Sequence, residues 1–212
     1  MAKYLNNDVP LELLEQRLHI IRENVRTAAL SGGHDPQAVR IMAVTKYVGH
    51  EAVLRAAKAG VRLIGENREQ SLAQKYEYIR GEDLEIHFIG HLQRNKAAKV
   101  VRMADCVQSL DSEALAAELN RQAEICKKEL SVLVQVNIGN DPNKSGIRPE
   151  ETRTFVEKLS ILSNLRVRGL MTILPLGITQ AQTEEYFSRM HALYVDIREK
   201  NRDNEKVTMD CL

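Results

Sequence analysis

Ile41-Met42-Ala43-Val44-Thr45-Lys46-Tyr47 is a short apolar run that stops in a polar cluster, and a helical pattern near 50–59 follows it. That is one β/α unit, and the chain repeats it. Together with 41–44, strand-like runs at 61–64, 86–89, 106–109, 132–138, 166–173 and 207–211 make seven. Helical patterns near 67–79, 94–103, 112–129, 149–162 and 180–201 separate them, so every strand but the last is followed by a helix. Upstream, Leu11, Leu14, Leu18, Ile21 and Val25 recur at helical spacing behind Asp8 and Pro10, and Gly32-Gly33 ends the pattern. Strict alternation leaves an open doubly wound sheet or a barrel. No Gly-x-Gly-x-x-Gly follows any strand, which weighs against a dinucleotide-binding open sheet. The expected fold is α/β, a (β/α)8 TIM-barrel type with an extra N-terminal helix, lacking the final helix and eighth strand.

Composition narrows the function classes. The 212 residues carry 30 basic and 29 acidic side chains, a formal charge of +1, so the positive field of a nucleic-acid binder is missing. With 43% hydrophobic and 28% charged residues and no linker-like stretch, residues 1–212 read as a single domain. Cys106, Cys126 and Cys211 are odd in number and widely spaced, which suits a reducing cytoplasm better than a disulfide framework. No apolar run approaches the roughly 20 residues that cross a bilayer, so no membrane partner is expected.

In a barrel the chemistry sits where strands end. Lys46 closes the first strand, where desolvation would favour the neutral amine that attacks an aldehyde to form a Schiff base. Position alone leaves the other reading open, a lysine reaching from the rim into solvent. Gly65-Glu66-Asn67-Arg68 follows the second strand and either caps a helix or hydrogen-bonds a ligand. His87 and His91 flank the third strand's end without a third metal ligand. His87 is either a satisfied core histidine or a side chain aimed into the barrel mouth. Arg94, Lys96, Lys99 and Arg102 give the next helix a basic, solvated outer face. Asn137 ends the fifth strand ahead of Asn140-Asp141-Pro142-Asn143-Lys144-Ser145-Gly146, a turn-rich loop. Met171 ends the sixth, as barrel filling or a soft wall for a flat ring. No serine elbow, HExxH, phosphate-binding GxxxxGK[ST] or carboxylate pair competes with Lys46.

These residues resemble the YggS/PROSC-like proteins, the pyridoxal 5′-phosphate (PLP) homeostasis family. Ala43-Val44-Thr45-Lys46 looks like the family's PLP-lysine motif and Gly65-Glu66-Asn67-Arg68 like its GEN signature. Ile86-His87-Phe88-Ile89-Gly90-His91-Leu92-Gln93-Arg94-Asn95-Lys96 is similar to its longest segment. Val136-Asn137 with Lys144-Ser145-Gly146, and Gly169-Leu170-Met171, follow in the family's order. Tyr47, where the family usually has threonine, departs from it. The resemblance implies a fold-type III barrel like the alanine racemase N-terminal domain, with PLP as an aldimine on Lys46. Asn67, His87, Asn137 and Met171 are the other expected cofactor contacts; no residue is assigned to catalysis or to a metal.

The implied role is a cytoplasmic PLP carrier in vitamin B6 homeostasis without established turnover, serving PLP-dependent apoenzymes. The alternatives are a racemase-like PLP enzyme, a Schiff-base aldolase, or a fragment that binds nothing. The family continues past the seventh strand with a Ser-x-Gly-Met-Ser segment and an eighth strand, whereas this sequence ends at Val207-Thr208-Met209-Asp210-Cys211-Leu212. The resemblance therefore implies a lost phosphate cradle. Charge-assisted bonds of about 1.5–3 kcal/mol each would go with it, leaving PLP labile. An intact member is expected as a monomer, and the open strand edges of a shortened one invite dimers or aggregates.

Overall fold

A computed structural model describes residues 9–142 and 144–212; Asp8, expected to precede the opening helix, and Asn143 of the polar loop lie outside the described residues. The opening pattern forms α1 (Leu11–Ser31), which buries Leu18 and Ala29 but leaves Ile21 exposed. Strands and helices then alternate: β1 (Ala43–Val44), α2 (His50–Lys58), β2 (Leu63–Glu66), α3 (Glu69–Ile79), β3 (Glu85–Phe88), α4 (Ala97–Met103), β4 (Cys106–Leu110), α5 (Glu113–Ile125), β5 (Leu130–Gln135), α6 (Pro149–Leu159), β6 (Leu165–Met171), α7 (Gln180–Lys200) and β7 (Val207–Cys211). All seven expected strands are present among the described residues. The helix read at 94–103 divides into a 3₁₀ turn, Arg94–Lys96, and α4, a common way to tighten a helix start.

The chain forms two compact units, one ending at His87 and the other running Phe88–Leu212. In the first, β1 pairs parallel with β2, Ala43 opposite Ile64 and Val44 opposite Gly65, and β2 lies next to β3. The sequence expects a buried first strand. Instead Ala43 is half-buried and Val44 is 52% exposed, because a ladder of two residues on β2 cannot cover both faces.

The second unit orders its strands β4-β5-β6-β7, all parallel. Its centre is β5, where Leu130, Val132, Leu133 and Val134 are all buried and the three consecutive apolar residues 132–134 mark a strand covered on both faces. Leu115, Leu119 and Ala123 of α5 and Phe155, Val156 and Leu159 of α6 add to this core. Each large side chain so buried contributes about 1.5–3 kcal/mol. Local signals set the helix starts: the Ser112 hydroxyl accepts from Leu115 N, and Thr179 with Gln182 forms a capping box. At Gly169 a Cβ would sit 1.6 Å from the Cys211 carbonyl oxygen, so only glycine lets β6 and β7 approach there.

Candidate functional site

Lys46 lies two residues past the end of β1, after Thr45. Thr45 N and Oγ1 both donate to the Gly65 carbonyl, at 2.9 and 3.3 Å, which carries the β1/β2 register one residue further. Lys46 then opens a turn, closed by Val48 N donating to the Thr45 carbonyl at 3.2 Å, while Asn67 directly follows the last residue of β2, the strand that pairs with β1. The lysine is exposed and its ammonium lies 5.3 Å from the Tyr47 ring centroid; among the described residues it makes no hydrogen bond or ion pair. The desolvating pocket expected from the sequence is thus not what marks Lys46. An exposed amine without hydrogen bond or ion pair among the described residues, just past a strand's end, marks it. Just past the end of β2, Asn67 keeps a buried Oδ1 with no hydrogen-bond donor among the described residues, an uncommon state for a buried polar atom.

Beneath these two residues lies a group that reading by local pattern misses. Glu66, which the sequence leaves as a helix cap or a ligand contact, is the last residue of β2 and is completely buried. Lys75 of α3 pairs with its Oε2, and the two side chains are 6% and 1% exposed. The Lys75 ammonium also donates to the Thr45 carbonyl at 2.6 Å. Glu66 accepts from Asn67 N at 2.9 Å and from the Ser71 hydroxyl at 3.0 Å. One buried ion pair therefore ties the ends of β1 and β2 to α3. Removing one member of such a pair costs about 3–5 kcal/mol, since the other charge is left unpaired. The sequence did carry a signal: Leu72, Lys75 and Ile79 share the buried stripe of α3, and a lysine in such a stripe needs a partner.

In the second unit Asn137 and Met171 come together at the ends of β5 and β6, where Gln135 is opposite Met171 and Val136 N donates to the Met171 carbonyl at 2.8 Å. Asn137 uses its side chain to close the polar loop. Its Nδ2 donates to the Asp141 and Lys144 carbonyls and its Oδ1 accepts from Asp141 N. The returning chain lays Ile147 against Val136 as a bridge, with Asn137 N donating to the Ile147 carbonyl. This is why β5 ends at Gln135, short of the expected 138. Met171 is half-buried.

His87 is 3% exposed, and its Nε2 lies 2.6 Å from Glu85 Oε1. The core-histidine alternative describes that setting. Burial pushes the Glu85 carboxyl up, but hydrogen bonds and charge from Arg40 and His87 outweigh it and hold the group at about 2 instead of the ordinary 4.5. His91 is 62% exposed and near both Asp111 and Ser145, at 3.5 and 3.4 Å. Both contacts use Nδ1, whereas a serine–histidine–acid relay needs one ring nitrogen for each partner, so no relay is formed. Among the described residues no group of three or more His, Cys, Asp or Glu gathers to hold a metal, and no helix is long and apolar enough to cross a membrane.

Residues 17–210 match the family described as alanine racemase, N-terminal domain, which fixes the class as a barrel-type α/β protein. The alanine racemase of Clostridium difficile 630 shares that fold, with a TM-score of 0.67 at 16% identity over 90% of this chain and 48% of the racemase. Within this class the relationship is narrower. The chain belongs to the pyridoxal phosphate homeostasis proteins: it is 35% identical over 198 residues to the member from Pasteurella multocida (strain Pm70), covering 92% of this chain and 85% of that protein. PipY of Synechococcus elongatus PCC7942, solved with PLP bound, superposes with a TM-score of 0.74 at 33% identity, covering 89% of this chain and 85% of PipY.

Proposed function

We propose that this protein holds PLP through the amine of Lys46 and serves cytoplasmic PLP homeostasis as a carrier, without catalytic turnover. The observation that carries this reading is the exposed amine of Lys46 just past the end of β1, which has no hydrogen bond or ion pair among the described residues, with the buried Oδ1 of Asn67, donorless among the same residues, just past the end of the paired strand β2. PLP supplies an aldehyde that takes a lysine amine and a ring that acts as an electron sink. Lys46 would hold the aldehyde carbon and Asn67 would receive a ligand donor. Asn137 and His87 have internal partners and enter the proposal as residues that shape the polar loop and β3. The PLP-bound PipY structure and the homeostasis names of the relatives support the assignment. The match over 17–210 supports treating residues 1–212 as one PLP-binding domain. PLP-dependent apoenzymes are the natural recipients of the cargo.

The test is to add PLP to the purified chain, record visible absorbance before and after borohydride, and locate the reduced adduct by mass spectrometry. A reducible yellow species on Lys46, absent in Lys46→Ala, is expected, together with no racemisation of L-alanine by the loaded protein. An adduct spread over many surface lysines, or one that persists in Lys46→Ala, would overturn the reading.

A further inference from the structure

Lys46 has one described feature that its own side chain does not explain: the peptide carbonyl immediately before it is held by a buried charge. Among the described residues, Lys75 is an ammonium nearly shut off from water whose two described acceptors are the Glu66 carboxylate and the Thr45 carbonyl, the latter at 2.6 Å. The Thr45–Lys46 peptide is planar, so fixing its carbonyl also fixes where the Lys46 amide and Cα begin. Glu66 performs the matching task on β2, accepting from Asn67 N at 2.9 Å. The backbones of both residues assigned to the ligand therefore hang from the same ion pair.

We infer that Lys75 and Glu66 are positioning residues for Lys46 and Asn67, an internal clamp that sets the direction of the reactive amine without touching the ligand. This rests on the proposed attachment of PLP at Lys46. It goes beyond that proposal in assigning the clamp a functional duty. A purely structural ion pair could have been built anywhere in the α3 interface; this one places its charge-assisted bonds on the two backbone groups that lead into the site. The exposed side chain of Lys46 would otherwise sample many directions, and a clamped backbone removes part of that freedom before the ligand arrives.

The experiment uses the full chain and two variants, Lys75→Met and the double variant Glu66→Gln/Lys75→Met. The double variant leaves no unpaired buried charge, and the amide oxygen introduced by Glu66→Gln can still accept from Asn67 N. It therefore isolates the loss of the Thr45 anchor should the single variant fail to fold. PLP affinity at Lys46 is read from the borohydride-trapped adduct. A reading independent of PLP comes from limiting formaldehyde and cyanoborohydride, as the methylation ratio of Lys46 to exposed Lys58, and from amide exchange at Thr45 and Val48, whose amides donate to the Gly65 and Thr45 carbonyls at 2.9 and 3.2 Å.

In the folded double variant PLP affinity is expected to fall about tenfold, the methylation ratio to change at least about threefold, and the two amides to exchange about tenfold faster. A folded double variant equal to the parent in all three readings overturns the clamp. Should the parent itself take no PLP at Lys46, the proposed function falls, and the methylation ratio and amide exchange still decide whether the clamp sets the amine.

Discussion

The Nε2 of His87 and the Oε1 of Glu85 lie 2.6 Å apart, with Arg40 paired to the same carboxylate from the chain just before β1. The Glu85 carboxyl is held down from 4.5 to about 2. A carboxyl with a depressed folded-state pKa adds stability above its unfolded value and loses it as pH falls through the folded value. The window is therefore pH 4.5 to about 2. For a side chain 30% exposed, the linkage value reduced for solvent screening is about 1–2 kcal/mol. Glu85→Gln should be less stable than the parent at pH 7 and should show a flatter loss of stability across that window. Urea melts at stepped pH check this, and parallel acid profiles would mean that the cluster contributes nothing.

Gly146 lies at φ +125, and a Cβ built on it would fall 2.7 Å from Asn137 N and 3.0 Å from the Val136 carbonyl carbon. Both obstacles are backbone, so neither moves cheaply. Gly146→Ala is expected to lower stability by about 2 kcal/mol or more, combining strain at positive φ with displacement of the Asn137 loop. Amide exchange should show the damage at Asn137 and Ile147, whose backbone bond closes the loop at 2.9 Å. A thermal melt within about 1 °C of the parent, on the order of a few tenths of a kcal/mol, would contradict it.

Gly169→Ala tests the second close approach. Its Cβ would overlap the Cys211 carbonyl oxygen, so β7 must move off β6. The Val167–Lys206 backbone bond, 2.8 Å, lies on the same pair. Faster amide exchange and earlier proteolytic cleavage in Val207–Cys211 are expected, with β4 and β5 unchanged. Loss of protection across the whole second unit would show instead that β7 is integral to its cooperative core.

The alternation of strands and helices was legible because each element carries its own periodicity, as with the apolar run of β5 and the stripe of α5. Strand ends were less so, for reasons specific to each. β2 extends through Glu66 because Lys75, nine positions later, makes burial of a carboxylate tolerable. β5 stops early because Ile147 returns to bridge Val136. In both cases the decisive partner is distant in sequence, and periodicity registers neither. The candidate lysine was legible from its place after a strand, but its exposure was not, since that depends on how little of β1 the ladder covers. The clamp on its backbone was hidden in the same way, behind a reading of Glu66 as a helix cap or a ligand contact.

Asn67 offers the sharpest separation of stability from function. Its Oδ1 is buried without a donor among the described residues, and an unsatisfied buried acceptor costs about 1–3 kcal/mol. If that cost is retained because a ligand donor relieves it, an apolar replacement of similar shape should move the two properties in opposite directions. Asn67→Leu is expected to raise the stability of the PLP-free chain by about 1 kcal/mol, since Asn67 N keeps its bond to Glu66. PLP affinity should fall about tenfold, the equivalent of about 1.4 kcal/mol. Melting curves and PLP titrations on the same preparations supply both numbers. A variant that gains stability and binds PLP as the parent does would remove Asn67 from the site, and one that loses both would assign the side chain to the fold.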